Sequence, residues 1–147
     1  MRLEGSFEVP APPQKIWQLV TNPRQISKAI PDLKKLEVKS DKNFNAEFKM
    51  KLGILSGTVK MDFTYVDLRE PSHVTLVGKG SGMQSTVDLK IDLDINSKGE
   101  RASEVKWVSD VTVGGAAASI GARIIQDVAK SKVQELVNNL RKITSAA

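Results

Sequence analysis

VGGAAASIGARIIQDVAKSKVQELVNNLRKI, residues 113–143, is the stretch whose reading decides the fold. It opens with small residues and glycines and continues without proline as an amphipathic pattern. Ile120, Ile124 and Val128 recur on one helical face, and Ile125, Val133, Leu136, Val137, Leu140 and Ile143 widen that face into a stripe. Arg123, Lys130, Gln134 and Arg141 fall mostly opposite. The spacing predicts a helix from about Ala116 to Ile143, roughly 40 Å long at 1.5 Å per residue. A helix of that length with one apolar side needs a curved partner. Gly121 lies inside the predicted helix, where glycine costs about 1 kcal/mol relative to alanine, so either close packing on a sheet or a hinge has to explain it.

Nearly everything upstream alternates with period two, the signature of half-buried strands. Phe44, Ala46, Phe48, Met50 and Leu52 alternate with Asn45, Glu47, Lys49 and Lys51, and Val59, Met61, Phe63 and Tyr65 alternate with Lys60, Asp62 and Thr64. Pairing Leu52 with Val59 places Met50 opposite Met61, Phe48 opposite Phe63 and Ala46 opposite Tyr65, with a turn at Ile54–Gly57. All four pairs then share one face, as a sheet with one buried side requires. Val74, Leu76, Gly78 and Gly80 continue that face, with Tyr65 opposite Val74, Gly80 opposite Ser85 and Leu76 opposite Leu89. Val87 to Ile95 and Val105 to Val113 supply two more strands, and Lys34–Lys39 another. Gly78 and Gly80 either leave room beneath the helix or mark bends.

At the other end, Arg2 to Val9 alternates as a strand. Pro13 opens a short helix carrying Ile16, Trp17, Leu19 and Val20, and Asn22 caps a second from Pro23 to Ala29. The order is therefore strand, two short helices, six strands, long helix. It implies an α+β chain in which a curved antiparallel sheet of about seven strands wraps the C-terminal helix, as one domain over residues 1–147.

Composition excludes several functional classes. The 147 residues, 40% of them apolar, suffice for a real core, and no run is long enough to span a membrane. With no cysteine there is no disulfide, thiolate nucleophile or cysteine metal site. The N-terminus enters a strand pattern with no signal-peptide core, so a cytoplasmic location is expected. The net charge of +5 suits a lysine-rich solvated surface or attraction to anionic lipid heads or an acidic partner. The lysines are spread along strands without interleaved aromatics, so no nucleic-acid partner is expected.

Catalytic constellations are missing. His73, the one histidine, sits beside Pro71 and reads as a solvent-exposed turn residue; alone it makes no usual zinc site. Asp88, Asp92 and Asp94 alternate with Lys90 on the outer face, the pattern of a solvated surface. Gly78–Gly82 lacks the strand–loop–helix context of a phosphate loop. No catalytic residue, metal or cofactor is assigned. The inner face is apolar apart from Tyr65, Ser85, Ser109 and Gln84. Tyr65 can point its hydroxyl to water, to a backbone partner or to a ligand. Met50, Met61 and Met83 either line a cavity adaptably or fill a tight core. Ile54 and Leu55 occupy a turn where polar residues are usual. They fold over the core, or act as a pocket lid, a partner contact or a shallow membrane insertion.

Phe7-Glu8-Val9-Pro10-Ala11-Pro12 leading to Ile16-Trp17, then Pro23, Ile30-Pro31, Lys51-Leu52-Gly53-Ile54, Gly78-Lys79-Gly80, Val113-Gly114-Gly115 and Ile120-Gly121-Ala122-Arg123 form an ordered set. Over nearly the whole chain this set resembles the START/helix-grip superfamily (SRPBCC, polyketide cyclase-like). Within it the set is similar to the CoxG family, the accessory proteins of carbon monoxide dehydrogenase. The resemblance implies a helix-grip fold with a cavity for a hydrophobic or amphipathic small molecule, lipid- or quinone-like. It also implies an accessory role beside a molybdenum-containing dehydrogenase or at the membrane surface, with no established catalytic residues. Many relatives carry a long C-terminal extension, whereas this chain stops at Ala147, which favours a stand-alone binding role over anchoring by such a tail. The expected cavity lining is Phe7, Trp17, Phe48, Met50, Met61, Phe63, Tyr65, Leu76, Leu89, Trp107, Ile120 and Ile124. Leu52, Ile54, Leu55 and Met83 are expected at the entrance or a partner contact. Two rivals remain: a cyclase or aromatase-type enzyme with Tyr65 as proton donor, and an interaction module with a filled core.

Overall fold

The computed structural model describes residues 1–145, so the chain's end at Ala147 lies outside the described residues. Strand β1 (Arg2–Val9) leads into helices α1 (Pro13–Val20) and α2 (Pro23–Ile26). Strands β2 (Leu33–Val38), β3 (Asn43–Leu52), β4 (Leu55–Arg69), β5 (His73–Gly82), β6 (Ser85–Ser97) and β7 (Ser103–Gly115) follow. A 3-10 turn, Ala116–Ile120, precedes the last helix, α3 (Ala122–Ser145). The strands form one antiparallel sheet in the order β1-β7-β6-β5-β4-β3-β2. The first and last strands of that order are the sheet's two edges. Helix α3 packs on β1 near one edge and β3 near the other, so the curved sheet holds it from both sides.

Pro13 takes the first helical position of α1, where its missing N–H costs nothing. The Asn22 side chain accepts from the amide of Arg24, 3.1 Å away, and caps α2. Helix α2 stops at Ile26, earlier than the predicted Ala29, because the chain tightens. The amides of Lys28 and Ala29 bond three residues back, to Gln25 and Ile26, instead of four.

Both proposed hairpin registers are corrected, β3–β4 by a four-residue slip and β5–β6 by a two-residue slip. Leu52 pairs with Leu55, Phe48 with Val59 and Phe44 with Phe63. The turn is the two-residue Gly53-Ile54, with φ +59 at Gly53 and no positive φ at Ile54, the requirement of a type II′ turn. Leu76 pairs with Ile91 and Gly80 with Val87, around a Met83-Gln84 turn in which both residues have positive φ. Tyr65 pairs with Leu76 and not Val74, because the strands pair out to Arg69 and His73 and the turn comes later than proposed. A bulge at Val66, which is left 55% exposed, lets Tyr65 and Leu68 both face the core. Slips of four and of two both preserve side-chain parity, so the predicted inner and outer faces stand.

The predicted continuous helix is also corrected. Gly121 has φ +104, and a Cβ there would meet nothing within 4 Å. Backbone conformation, not close packing, accounts for this glycine. The break resets the helical phase, so Ile120 and Ile124 do not share a buried face, and Ile124 is 43% exposed.

The core lies toward one end of the sheet. Val9, Ala11, Ile16, Trp17, Val20, Phe44, Tyr65, Val74, Ile95 and Val105 pack together there under α1. The wholly buried Ser103 hydroxyl donates to the Ala11 carbonyl at 2.7 Å and fastens the β1–α1 connection to β7. Gly78 and Gly80 neither open space nor mark bends. A Cβ at Gly78 would lie 2.7 Å from the Phe63 ring, and one at Gly80 would overlap Met61 and the Lys60 carbonyl. Each glycine is the cross-strand partner of the side chain it admits, Phe63 or Met61.

Candidate functional site

The far end of the sheet is not filled. Between the sheet and α3 lies a cavity of about 300 Å³. Its floor comes from Phe48, Met50 and Leu52 of β3, Val59, Met61 and Phe63 of β4, and Gly82, Ser85, Val87, Leu89 and Val113 of the next strands, with Met83 at the hairpin tip. Ala117 of the 3-10 turn and Val133 and Leu136 of α3 form the roof, and Ile30, Pro31 and Asp32 form a side wall. Phe48 meets Phe63 edge to face, ring centroids 6.3 Å apart, and Phe44 stacks behind Phe63 at 5.1 Å. These aromatic contacts separate cavity from core.

The wall is nearly all hydrocarbon. Ser85, its one hydroxyl, is occupied: it donates to the Met83 carbonyl at 3.1 Å and accepts from the Ala117 amide at 2.8 Å. That bond and the one from the Ala116 amide to the Gln84 carbonyl tie the 3-10 turn to the β5–β6 hairpin. Charge is confined to Asp32, Lys49 and Lys132. Asp32 holds the left-handed conformation at φ +60, its carbonyl accepts from the Lys49 amide, and its carboxylate pairs with the Lys132 ammonium. The hydrogen bond to Asp32 raises the Lys132 pKa, burial partly opposes it, and the charges of Asp32 and Glu135 add to it. Lys132 therefore contributes its pairing through the neutral range, and the contribution is lost only as pH rises past the ordinary lysine value. Asn139 donates to the Ala29 carbonyl and Arg141 to the Glu8 carbonyl, completing the polar ties that seat α3.

Of the residues expected to line the cavity, Phe48, Met50, Met61, Phe63 and Leu89 do so, as do Leu52 and Met83 from the expected entrance. The remainder are corrected. Trp17 and Tyr65 are in the packed core and Leu76 lies against it. Phe7 and Trp107 line a separate open groove between β1 and α3, where the Trp107 ring covers Gly5. Ile120 sits by the β3–β4 hairpin, and Ile124 points outward after the Gly121 break. Leu55 is half-buried outside the cavity, and Ile54 at the hairpin tip is 99% exposed, so it does not fold over core or pocket. Ile30, Pro31, Asp32, Lys132, Val133 and Leu136 were not anticipated. Val133 and Leu136 were visible as apolar stripe positions, whereas the 30–32 segment carried no periodic signal.

The Tyr65 hydroxyl donates to the Val20 carbonyl at 2.7 Å, and burial pushes its pKa well above the usual tyrosine value. It is a neutral structural donor 45 residues from its partner in sequence. Tyr65→Phe is expected to destabilise the fold by about 1–3 kcal/mol by leaving that carbonyl unpaired. Urea unfolding measures this, and the cavity should keep its binding properties because Tyr65 is not on its wall.

His73 also departs from its expected place. It is partly buried on the outer face, with Nδ1 2.8 Å from Asp94 and Nε2 2.9 Å from the Thr75 hydroxyl, which donates to Asp92 at 2.6 Å. Asp92 and Asp94 thus serve a hydrogen-bonded cluster around His73. Among the described residues no group of three or more histidine or carboxylate side chains is placed to hold a metal ion.

A family model described as a carbon monoxide dehydrogenase subunit (CoxG) matches residues 5–145. The chain belongs to the CoxG family. No curated protein matches its sequence. Among solved structures, this CoxG-family chain is similar to a conserved protein from Geobacillus kaustophilus, with TM-score 0.92 and 22% identity over 99% of this chain and 96% of that one. It is also similar to a START superfamily protein from Mycobacterium smegmatis, TM-score 0.80, 12% identity, over 99% and 97% of the two chains. The Zhui aromatase/cyclase from Streptomyces sp. R1128 aligns at TM-score 0.74 and 9% identity over 99% and 93%. These likenesses bear on the fold: the CoxG-family chain has the α+β helix-grip architecture, with seven antiparallel strands curved round its C-terminal helix.

Proposed function

We propose that the chain, acting as one domain, binds a hydrophobic or amphipathic small molecule between sheet and α3, without catalysing its conversion. The observation that carries this reading is the cavity of about 300 Å³ with an almost wholly apolar wall. Ligand sites begin at about that size and combine apolar lining with few polar groups. Burial is the driving force, about 0.8 kcal/mol for each enclosed methylene. Family membership supports an accessory role beside a carbon monoxide dehydrogenase-type molybdenum enzyme, with the molecule handled for that partner. A cyclase reading finds less support, because Tyr65 is spent on the Val20 carbonyl away from the cavity.

A membrane or protein contact at the β3–β4 tip is a second reading, and the fully exposed Ile54 favours it. Among the described residues no helix is long and apolar enough to cross a membrane. In this second reading the chain is cytoplasmic and meets the membrane peripherally.

Native mass spectrometry of freshly purified protein, followed by organic extraction, tests the main reading. A stoichiometric lipid, quinone or fatty acid supports it. A clean apo mass, with no thermal shift across a lipid and quinone panel, rejects it and leaves the contact surface.

A further inference from the structure

We infer that the bound molecule is an anionic amphiphile with a single apolar chain, its head held by lysines at the cavity mouth. This rests on the cavity reading above and adds the chemical class of the ligand. The cavity's charged residues are gathered on one side, at Asp32, Lys49 and Lys132, and there the cavity adjoins a second depression. The two share Asp32, Lys49, Met50 and Lys132, and the depression adds Lys34, Lys51 and Thr58. Four lysines therefore meet one carboxylate where hydrocarbon gives way to solvent.

Lacking an ion pair does not by itself set these lysines apart. Among the described residues Lys60 pairs with Glu47, Lys98 and Lys106 share Glu104 and Arg69 pairs with Asp67, but Lys79, Lys90 and Arg123 pair with none. What sets them apart is that they are gathered beside an apolar wall. At the mouth Lys132 is taken up by Asp32 and by Glu135 at 3.7 Å. Lys34 reaches only the Thr58 hydroxyl, at 3.3 Å, and Lys49 and Lys51 have no ion pair among the described residues. Lysines on an edge strand can serve simply to block pairing with another sheet. That role suits Lys49 and Lys51, which follow the point where β2 stops pairing with β3. It suits Lys34 on edge strand β2 as well, but it does not account for the Asp32–Lys132 pair that brackets the opening. Clustered ammonium groups beside a low-dielectric wall concentrate anions, and they hydrogen-bond a carboxylate or phosphate head more strongly than a neutral one. The cavity is at the small end of ligand sites, which suits one chain and not two.

The test uses the full chain, with hexadecanoate, hexadecyl phosphate and hexadecanol as monomers in a fluorescent-probe displacement assay. At least one of the two anions should bind about tenfold or more tighter than the alcohol, and the better one identifies the head. A single exposed ion pair is worth a factor of about one and a half to five. The double variant Lys34→Gln, Lys51→Gln, at residues that line only the adjoining depression, should therefore remove much of that preference, with alcohol binding and melting temperature unchanged. Equal affinity for anions and alcohol, or a parallel loss of both in the variant, would overturn the inference while the cavity reading stands. Binding of none of the three overturns the inference, and the cavity reading then stands or falls on the native mass and the lipid and quinone panel. Adsorption to anionic phosphatidylglycerol vesicles without uptake of monomers would assign the lysines to a membrane surface and also overturn it.

Discussion

Val87→Trp is expected to abolish ligand uptake, by a hundredfold or more, while leaving the fold at least as stable. Val87 lies on the β6 part of the cavity floor, between its cross-strand partners Gly80 and Val113. A larger side chain in a packed core forces strain of about 1–3 kcal/mol. Here the added rings have empty space to enter, and filling it restores dispersion contacts that the cavity walls lack. Probe displacement and thermal melting, run on the same preparation, check both halves. Undiminished binding would relocate the ligand, with the β1–α3 groove beside Phe7 and Trp107 as the next place to look. A collapsed melting temperature would mean that the cavity is structurally required to stay open.

Gly80→Val is expected to have the opposite profile, a loss of about 3 kcal/mol of stability. The obstruction at this position is the Lys60 carbonyl together with the Met61 sulfur. A flexible side chain can move aside, but a backbone carbonyl in the paired strand cannot without breaking the β4–β5 ladder, which places the cost at the upper end of overpacking effects. For a chain of this size the melting temperature should fall by roughly 10 °C. Gly78→Ala should cost less, because the Phe63 ring is a side chain and can tilt.

The faces of the strands were legible because alternation is a local property that survives errors of pairing. Phe48 faces inward whether it pairs with Phe63, as the spacing predicted, or with Val59, as it does. What alternation cannot supply is position along the sheet. The two-residue turn at Gly53-Ile54 places an isoleucine where a polar residue is usual, and the Met83-Gln84 turn reaches positive φ twice without glycine or asparagine. Gly53 is the glycine that a type II′ turn calls for, but neither Ile54 nor the Met83-Gln84 pair is an ordinary turn residue, so spacing alone makes both loops too long and slips the registers.

The site was half legible for a related reason. Phe48, Met50, Met61, Phe63 and Leu89 share the inner face with Tyr65 and Leu76, and no periodicity distinguishes those covered by α1 from those left beneath α3. That division is set by where α1 docks, a tertiary property. The Asp32–Lys132 pair spans 100 residues and joins a non-periodic connection to the flank of a helix, so it left no local pattern to read.

The open joint at Gly121 divides the roof of the cavity in thermodynamic terms as well as geometric ones. Ala116 and Ala117 are bonded to the β5–β6 hairpin, whereas α3 is seated by Asp32, Ala29 and Glu8 on the opposite flank. The two halves of the roof therefore belong to separate units of local opening, each with its own free energy. Lifting α3 away from Ile30 and Pro31 need not disturb the hairpin, so the route by which a guest enters and the wall against which it rests have independent stabilities. Amide hydrogen exchange is expected to show two protection classes meeting at a single glycine.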